Sequence, residues 1–331
     1  MRAPAFWWRP KTGALLAPLG AIYGAVATQR METPGASAGV PVICVGNLTV
    51  GGAGKTPTAL AVAHLLLQVR ERPFFLSRGY GGRLSGPVRV DTSYHHAADV
   101  GDEPLLLARL APTVVARDRV AGARMARKIG ASAIVMDDGF QNPSLKKDLS
   151  IIVVDGARSI GNGRIIPAGP LRAPIEVQIK QAHAIIVIGS TDGTADLKDV
   201  ARRYGVALLH GRLVPDRSSL AELEGRKVLA FAGIGNPEKF FMTLEEAGVT
   251  VAERKSFDDH HRYTPAEAET LISRADAAGF VLMTTEKDHV RLGGDTALAK
   301  LAARASVLPV RLVVDEQDQF RQLVLSAVGQ T

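Results

Sequence analysis

The chain of 331 residues has one cysteine, Cys44, set inside an apolar run. A disulfide framework is excluded, a reducing compartment fits, and Cys44 reads as a small core residue. Acid is absent from the stretch MRAPAFWWRPKTGALLAPLGAIYGAVATQR, which carries Arg2, Arg9, Lys11 and Arg30. Aromatics are scarce, at 5% of the chain, yet both tryptophans, Trp7 and Trp8, fall in this acid-free start beside Phe6. There is no charge between Lys11 and Arg30, but Pro18, the glycines, Thr12, Thr28 and Gln29 dilute the run, which is barely long enough for a membrane span. A secretory signal is disfavoured because a strand-like segment follows closely at Pro41 and TQRMETPG is a poor cleavage site. The preferred reading is a helix lying in a membrane interface with aromatic anchors and basic flanks. A helix packed on the protein's own core comes second. Repeats and low-complexity tracts are also lacking.

What is present describes a globular α/β protein. The apolar fraction is 46%, and 33 glycines and 18 prolines are not extreme for this length. The net charge of +7 favours an acidic partner: nucleic acid, an anionic membrane surface or a phosphorylated substrate. From Pro41, short β-branched runs alternate with helical stretches. PVICVG, PFFLS, TVVA, AIVMD, SIIVVD and AIIVIG read as strands, and KTPTALAVAHLLLQVR, DEPLLLARL and DRVAGARMARKIG as helices. Continuous apolar strands between helices imply a parallel sheet covered on both faces. A second set begins near Lys227 with KVLAFAGIG, NPEKFFMTLEEAG, VTVAERKSF, TPAEAETLISRADAAG, FVLMT and SVLPVRLVVD, and HGRLVPDRSSLAELEG holds the link.

VGNLTVGGAGKTP follows the first strand and opens the first helix of that set. A phosphate-binding loop needs this context. Its backbone amides cradle phosphates, its lysine reaches the β- and γ-phosphates, and its hydroxyl binds Mg²⁺. Gly51 and Gly52 free the turn, and Gly54, Lys55 and Thr56 complete it. Thr49 stands where the usual pattern has glycine. Asp137 and Asp138 of AIVMDDGFQ end a strand where α/β ligands bind, so either could hold the metal with Thr56. The expected fold is therefore α/β: a P-loop NTPase-like parallel sheet domain with a second, smaller α/β domain. The expected divisions are 1–35 for the membrane-interface helix, 36–215 for the P-loop kinase domain and 216–331 for the smaller domain.

Three P-loop classes compete. A GTPase needs Asn/Thr-Lys-x-Asp, and TTEKDH has Lys287 and Asp288 adjacent, so the spacing fails. A MinD/ParA-like membrane ATPase switch needs a lysine where Val50 stands. A small-molecule kinase needs a base for an acceptor hydroxyl and cations for its substrate. SRGYGGR offers Arg78 and Arg83, and DVGDEP offers Asp99, Asp102 and Glu103, although Asp102 could equally cap a helix. FDDHHRY groups Asp258, Asp259, His260 and His261, with no further Cys/His cluster to support zinc.

The ordered motifs VGNLTVGGAGKTP, SRGYGG, GDEP, DDGFQ, GNGRIIPAGPLRAP, FAGIGNPEKFF, FDDHHRY and TTEKDHVRL, with the start FWWRP…LLAPLGAIY, resemble the tetraacyldisaccharide 4′-kinases, the lipid A 4′-kinases of Gram-negative bacteria. Thr49 is ordinary for that family. Ala173 departs from it, standing where GPLREP has glutamate, and any role for an acid there is open. The resemblance implies ATP-dependent phosphorylation of the 4′-hydroxyl of a tetraacylated glucosamine disaccharide 1-phosphate. It implies that Thr49, Gly51, Gly52, Ala53, Gly54, Lys55 and Thr56 hold ATP, and that Thr56 with Asp137 or Asp138 holds Mg²⁺. Asp102 would take the hydroxyl proton and His260, preferred over His261, would orient or tune it from the other domain. Arg78, Arg119 and Arg172 would contact phosphates. The implied partners are the lipid A precursor and an anionic membrane surface at the cytoplasmic face of the inner membrane, with no nucleic acid; a monomer is expected.

Overall fold

The computed structural model describes residues 3–9, 11–221 and 223–330. Arg2 of the basic start lies outside them. The strands in chain order are β1 Val42–Gly46, β2 Pro73–Ser77, β3 Val88–Arg89, β4 Thr113–Val115, β5 Ala133–Asp137, β6 Leu149–Asp155, β7 Ala184–Ile188, β8 Ala207–Pro215, β9 Lys227–Ala232, β10 Thr250–Ser256, β11 Val281–Thr285, β12 Ala305–Leu308 and β13 Val310–Val314. They form a nine-stranded sheet ordered β13-β8-β7-β6-β1-β5-β2-β4-β3 and a four-stranded sheet ordered β10-β9-β11-β12. Every pairing is parallel except β13 with β8 and β3 with β4, which close the two edges of the large sheet.

The apolar runs explain the layering. Successive strand residues point to opposite faces. Val42 and Cys44 of β1 enter one core with Met136 of β5, and Ile43 and Val45 enter the other with Val135. Helix Lys55–Gln68 covers the second face through Ala59, Val62, Ala63 and Leu66, all fully buried. Pro57 sits in its first turn, where no intrahelical donor is lost. Cys44 is enclosed in the first core, where burial pushes its thiol up to about 12 and leaves it inert.

The strand set expected from the sequence is present, with three additions, the first being the two-residue edge strand β3. Residues 207–215, whose last part reads as linker, form the long strand β8. SVLPVRLVVD divides at Pro309 into β12 and β13, which belong to different sheets. Proline has no donor for a ladder, so the break falls there. The chain thus crosses from the large sheet after β8 and returns at β13, where the Asp216 amide donates to the Pro309 carbonyl at 2.9 Å. Helix Gln317–Ser326 then packs on helix Lys55–Gln68, and Arg321 donates to Gln68 at 3.2 Å. Residues 310–326, expected in the smaller unit, therefore lie with the large sheet.

Helix Ala17–Met31 lies on the protein. Its Gly20 and Gly24 are buried, and a Cβ at Gly20 would come within 2.9 Å of the Ile165 carbonyl oxygen. Trp7 is buried too, donating its indole N–H to the Pro167 carbonyl at 3.0 Å. Trp8 is half-buried under the Arg158 guanidinium, 5.0 Å from the ring centroid. The expected aromatic anchors are thus turned toward the protein. The opposite face of the helix and the turn before it exposes Leu15, Leu19, Ile22, Tyr23 and Val26. No helix among the described residues is long and apolar enough to cross a membrane.

Candidate active site

The loop from Gly46 to Gly54 leaves β1 at the C-terminal end of the sheet, where parallel strands present ligand sites. Gly51 and Gly54 take φ of 117° and 93°, in the region that favours glycine. The loop is braced from both sides. Asn47 donates its side-chain N–H to the Gly51 carbonyl at 3.0 Å, and Gln141 donates to the Asn47 carbonyl at 2.7 Å. Thr49 bridges to Leu171, and the Val50 amide donates to Pro170 at 3.0 Å. The residue that first looks like a lost glycine therefore pairs with the GPLRAP segment. Gly52 and Ala53 follow at the turn, the former open and the latter buried.

Lys55 and Thr56, both buried, begin the helix and meet the two aspartates at the end of β5. The Lys55 Nζ lies 3.7 Å from Asp138 Oδ2, and Arg172 donates to Asp138 Oδ1 at 2.9 Å. Burial opposes the charge on Asp138, but Lys55 and Arg172 override it and hold the carboxyl down at about 2. Asp137 is different. Thr56 donates its hydroxyl to Asp137 Oδ2 at 3.5 Å, while Asp137 Oδ1 is buried with no hydrogen-bond partner among the described residues. Burial first, and then Glu103, push this carboxyl up to about 7. A buried carboxylate oxygen left without a donor is costly, and with a hydroxyl beside it the donor set suits a hard divalent cation. These residues fit Mg²⁺. Among the described residues no cluster of three or more His, Cys, Asp or Glu offers a different metal site.

The other half of the site comes from the four-stranded sheet. A Cβ at Gly235, in the loop after β9, would lie 3.8 Å from the Gly52 amide nitrogen and 3.3 Å from Asp259 Oδ2. The FDDHHRY turn therefore stands over the phosphate loop. His260, at φ 57°, presents Nδ1 to Asp102 Oδ2 at 3.2 Å across the two units, and its ring lies 5.2 Å from that of Tyr80. His261 points into its own unit instead, with Nε2 3.0 Å from Glu267 and its ring stacked on Phe257. Asp102 is buried at the start of helix Asp102–Ala108. Burial would raise its pKa, but the His260 hydrogen bond, Arg291 and Lys287 hold the carboxyl well below the ordinary range. His260 is raised above its ordinary value, mainly by the same hydrogen bond.

The arginines separate into kinds. Arg172 pairs with Asp138. Arg119 is buried, donates to the Ala116 carbonyl and has no partner for its Nε among the described residues. Burial, then the like charge of the exposed Arg78, lowers Arg119 to about 10. Arg119 is also within electrostatic reach of Asp138 and Asp137, which oppose that lowering. Arg83 is tied instead to Asp99 at 2.8 Å, and Asp99 also caps the turn at His96, so that pair serves local structure. Ala173 is fully buried, so no acid reaches the site from that position.

A family model described as tetraacyldisaccharide-1-P 4′-kinase matches residues 12–329. The chain belongs to this family. It is 53% identical over 332 aligned residues to a tetraacyldisaccharide 4′-kinase of Rhodopseudomonas palustris (strain BisB18), covering 100% of this chain and 97% of the relative. It is 54% identical to that of Methylobacterium sp. (strain 4-46), covering 96% and 95%. Its fold matches the "apo" form of LpxK from Aquifex aeolicus solved in complex with ATP, with a TM-score of 0.73, 26% identity and coverage of 96% of this chain and 99% of that one. The family member is thus a phosphotransferase, and nothing in these matches supports the ATPase-switch alternative. Two residues at its site escaped the sequence reading. Lys287 donates to Glu103 at 2.6 Å, and Arg291 donates to Asp102. Both lie in TTEKDHVRL, a motif that carries the family resemblance but gave these two residues no role.

Proposed function

We propose that this protein transfers the γ-phosphate of ATP to the 4′-hydroxyl of a tetraacyldisaccharide 1-phosphate, with Asp102 as the proton acceptor and His260 holding and tuning it. The observation that carries the assignment of roles is the Asp102–His260 contact, made between two units beside the phosphate loop. Loose phosphoryl-transfer transition states ask mainly for alignment and charge neutralisation. The amides from Gly51 to Thr56 and the Lys55 ammonium hold the triphosphate of ATP, with Thr49 bracing the turn. Asp137, whose Oδ1 lacks a partner, joins Thr56 in holding Mg²⁺, whereas Asp138 is engaged by Lys55 and Arg172. When bound, Mg²⁺ supplies charge neutralisation at the β- and γ-phosphates. Arg78, Arg119 and Arg172 contact phosphate oxygens of nucleotide or lipid.

Splitting the pair between two units ties chemistry to closure. Water is excluded as the acceptor is enclosed, which suppresses ATP hydrolysis. The lipid stays in its bilayer, since each buried CH₂ contributes about 0.8 kcal/mol. The enzyme docks there as a monomer, at the cytoplasmic face of the inner membrane, through the apolar face that includes Leu15, Leu19, Ile22 and Val26. Arg9, Lys11 and Arg30 favour an anionic surface by about 1 kcal/mol each.

The test is transfer of a radiolabelled γ-phosphate from ATP to the tetraacyldisaccharide 1-phosphate. Asp102→Ala should lower kcat by about 10²–10⁴-fold with ATP affinity retained. A near-full rate in that variant would sink the proton-acceptor assignment.

A further inference from the structure

Helix Glu286–His289 and the turn after it present two cations one helical turn apart, Lys287 and Arg291. They face two adjacent acids, Asp102 and Glu103, at the start of helix Asp102–Ala108. Lys287 takes Glu103. Arg291 takes Asp102: its Nε donates to Asp102 Oδ2 at 2.9 Å, and its Nη2 donates to the same oxygen. The two side chains are each 5% exposed. Arg291 is fixed from behind as well. Its Nη1 donates to the Gly233 carbonyl at 2.6 Å and to Asp288 Oδ1 at 2.9 Å. Asp288, fully buried, also accepts from the Gly233 amide, the Tyr263 hydroxyl and the Thr285 hydroxyl. Burying two charges costs desolvation that a matched ion pair barely offsets, so stability alone is a weak reason for this arrangement.

We propose that Arg291 is a positioning residue for phosphoryl transfer, locking the Asp102 carboxylate so that Oδ1 is the oxygen left to take the proton. The proposal rests on Asp102 being the proton acceptor. Oδ2 receives Arg291 twice and His260 once, and is saturated. Among the described residues Oδ1 has one partner, the Glu103 amide at 3.0 Å, which leaves it a lone pair. As the acceptor oxygen bonds to the γ-phosphorus and the bridging oxygen leaves with ADP, the hydroxyl proton passes to Oδ1. Because Arg291 and His260 belong to the four-stranded unit, the carboxylate is locked only when that unit is docked. The charged groups facing Asp102 are Arg291, His260 and Lys287, with Glu103 beside it on its own helix.

Arg291→Ala, Arg291→Lys and Asp102→Ala are assayed in the full-length enzyme with ATP and the tetraacyldisaccharide 1-phosphate across about pH 3.5–9, a span that takes in the ordinary Asp value of about 3.9 and the ordinary His value of about 6.5. Arg291→Ala should lose about 100-fold in kcat, with KM for each substrate within about threefold, as misorientation costs the transition state rather than binding. The acid limb of its kcat profile should move to higher pH, since the carboxylate has lost its guanidinium, and added guanidinium ion should restore part of the rate. Arg291→Lys, with a single-point donor, should fall between. An Arg291→Ala enzyme within about threefold of the native kcat overturns the proposal. So does an inactive one whose acid limb is unmoved and which guanidinium does not rescue. If Arg291→Ala fails to fold, the kcat of folded Arg291→Lys decides by the same threshold; loss of the native melt in both shows that the arginine serves the fold, and overturns the role. Asp102→Ala keeping its rate would sink the proton-acceptor reading itself, whereas an inactive Asp102→Ala beside native-like Arg291 variants sinks positioning alone.

Discussion

At the scale of single residues, the phosphate loop separates what the fold needs from what the nucleotide needs. A Cβ at Gly54 would lie 2.6 Å from Ile188 Cδ1, and the residue sits at φ 93°. Ile188 is itself buried, so it has little room to yield. Gly54→Ala should therefore cost about 1–3 kcal/mol of stability as well as ATP affinity. Among the described residues, nothing beyond its chain neighbours lies within 4 Å of a Cβ added at Gly52. Gly52→Ala should melt like the native protein and lose affinity for ATP alone. Thermal melts and calorimetric titration of ATP check both, and equal melting losses in the two variants would contradict the distinction. This scale also shows what the sequence disclosed. Lys55, Thr56 and the two aspartates were legible because a strand, a glycine turn and a helix start fix their chemistry locally. Asp102 and His260 became partners only through the family resemblance, since 158 positions separate them. Arg291 lies 189 positions from Asp102, and nothing in its neighbourhood names that partner. Asp137 and Asp138 could not be told apart from order alone; their difference arises from which cations reach each carboxylate.

At the scale of elements, helix Ala17–Met31 has one packed side and one exposed apolar side. The sequence set an interfacial helix against a packed one. Gly20 and Gly24 provide close packing on the Ile165–Pro174 segment, while Ile22 on the helix is 66% exposed and Leu15 in the turn before it 97%. An apolar side chain buried on transfer contributes roughly 1.5–3 kcal/mol, so even partial insertion of this stripe is substantial. Ile22→Glu should weaken binding to anionic vesicles by about tenfold or more without changing the melt. Gly20→Val should lower the melt, by about 1–3 kcal/mol of overpacking against the Ile165 carbonyl. Vesicle co-sedimentation and thermal denaturation measure the two effects, and unchanged sedimentation of Ile22→Glu would remove the stripe from the docking surface. The tryptophans misled because composition marks amphipathic residues without saying which side they face. The strand β8 escaped notice for a related reason: HGRLVP mixes glycine, proline and charge like a linker, and tertiary pairing with β7 and β13 overrides that local signal.

At the scale of the whole molecule, closure of the four-stranded unit on the large sheet is held by contacts of two electrical kinds. Arg291 with Asp102, Lys287 with Glu103, and Lys239 with Asp155 at 3.8 Å are ion pairs between the two units. Burial opposes the charge on Lys287, yet Glu103 and Asp102 raise it above its ordinary value, and Arg291 is raised likewise. His260 is the contact that titrates. Its pKa is raised above the ordinary 6.5 by the hydrogen bond to Asp102, so its contribution is complete below about 6.5 and is lost as pH rises through the raised value. Asp102 is depressed from 3.8, so its contribution is present above that value and is lost only as pH falls well below it. Closure should therefore be tightest between about pH 4 and 6.5 and loosen partly above, with the three arginine and lysine pairs preventing full opening. Amide hydrogen exchange in residues 78–82 and 258–262, corrected for intrinsic rates, should accelerate between about pH 6 and 8.5, the window in which a raised histidine deprotonates. His260→Asn should flatten that dependence, and an equally steep dependence in the variant would assign the opening to some other group.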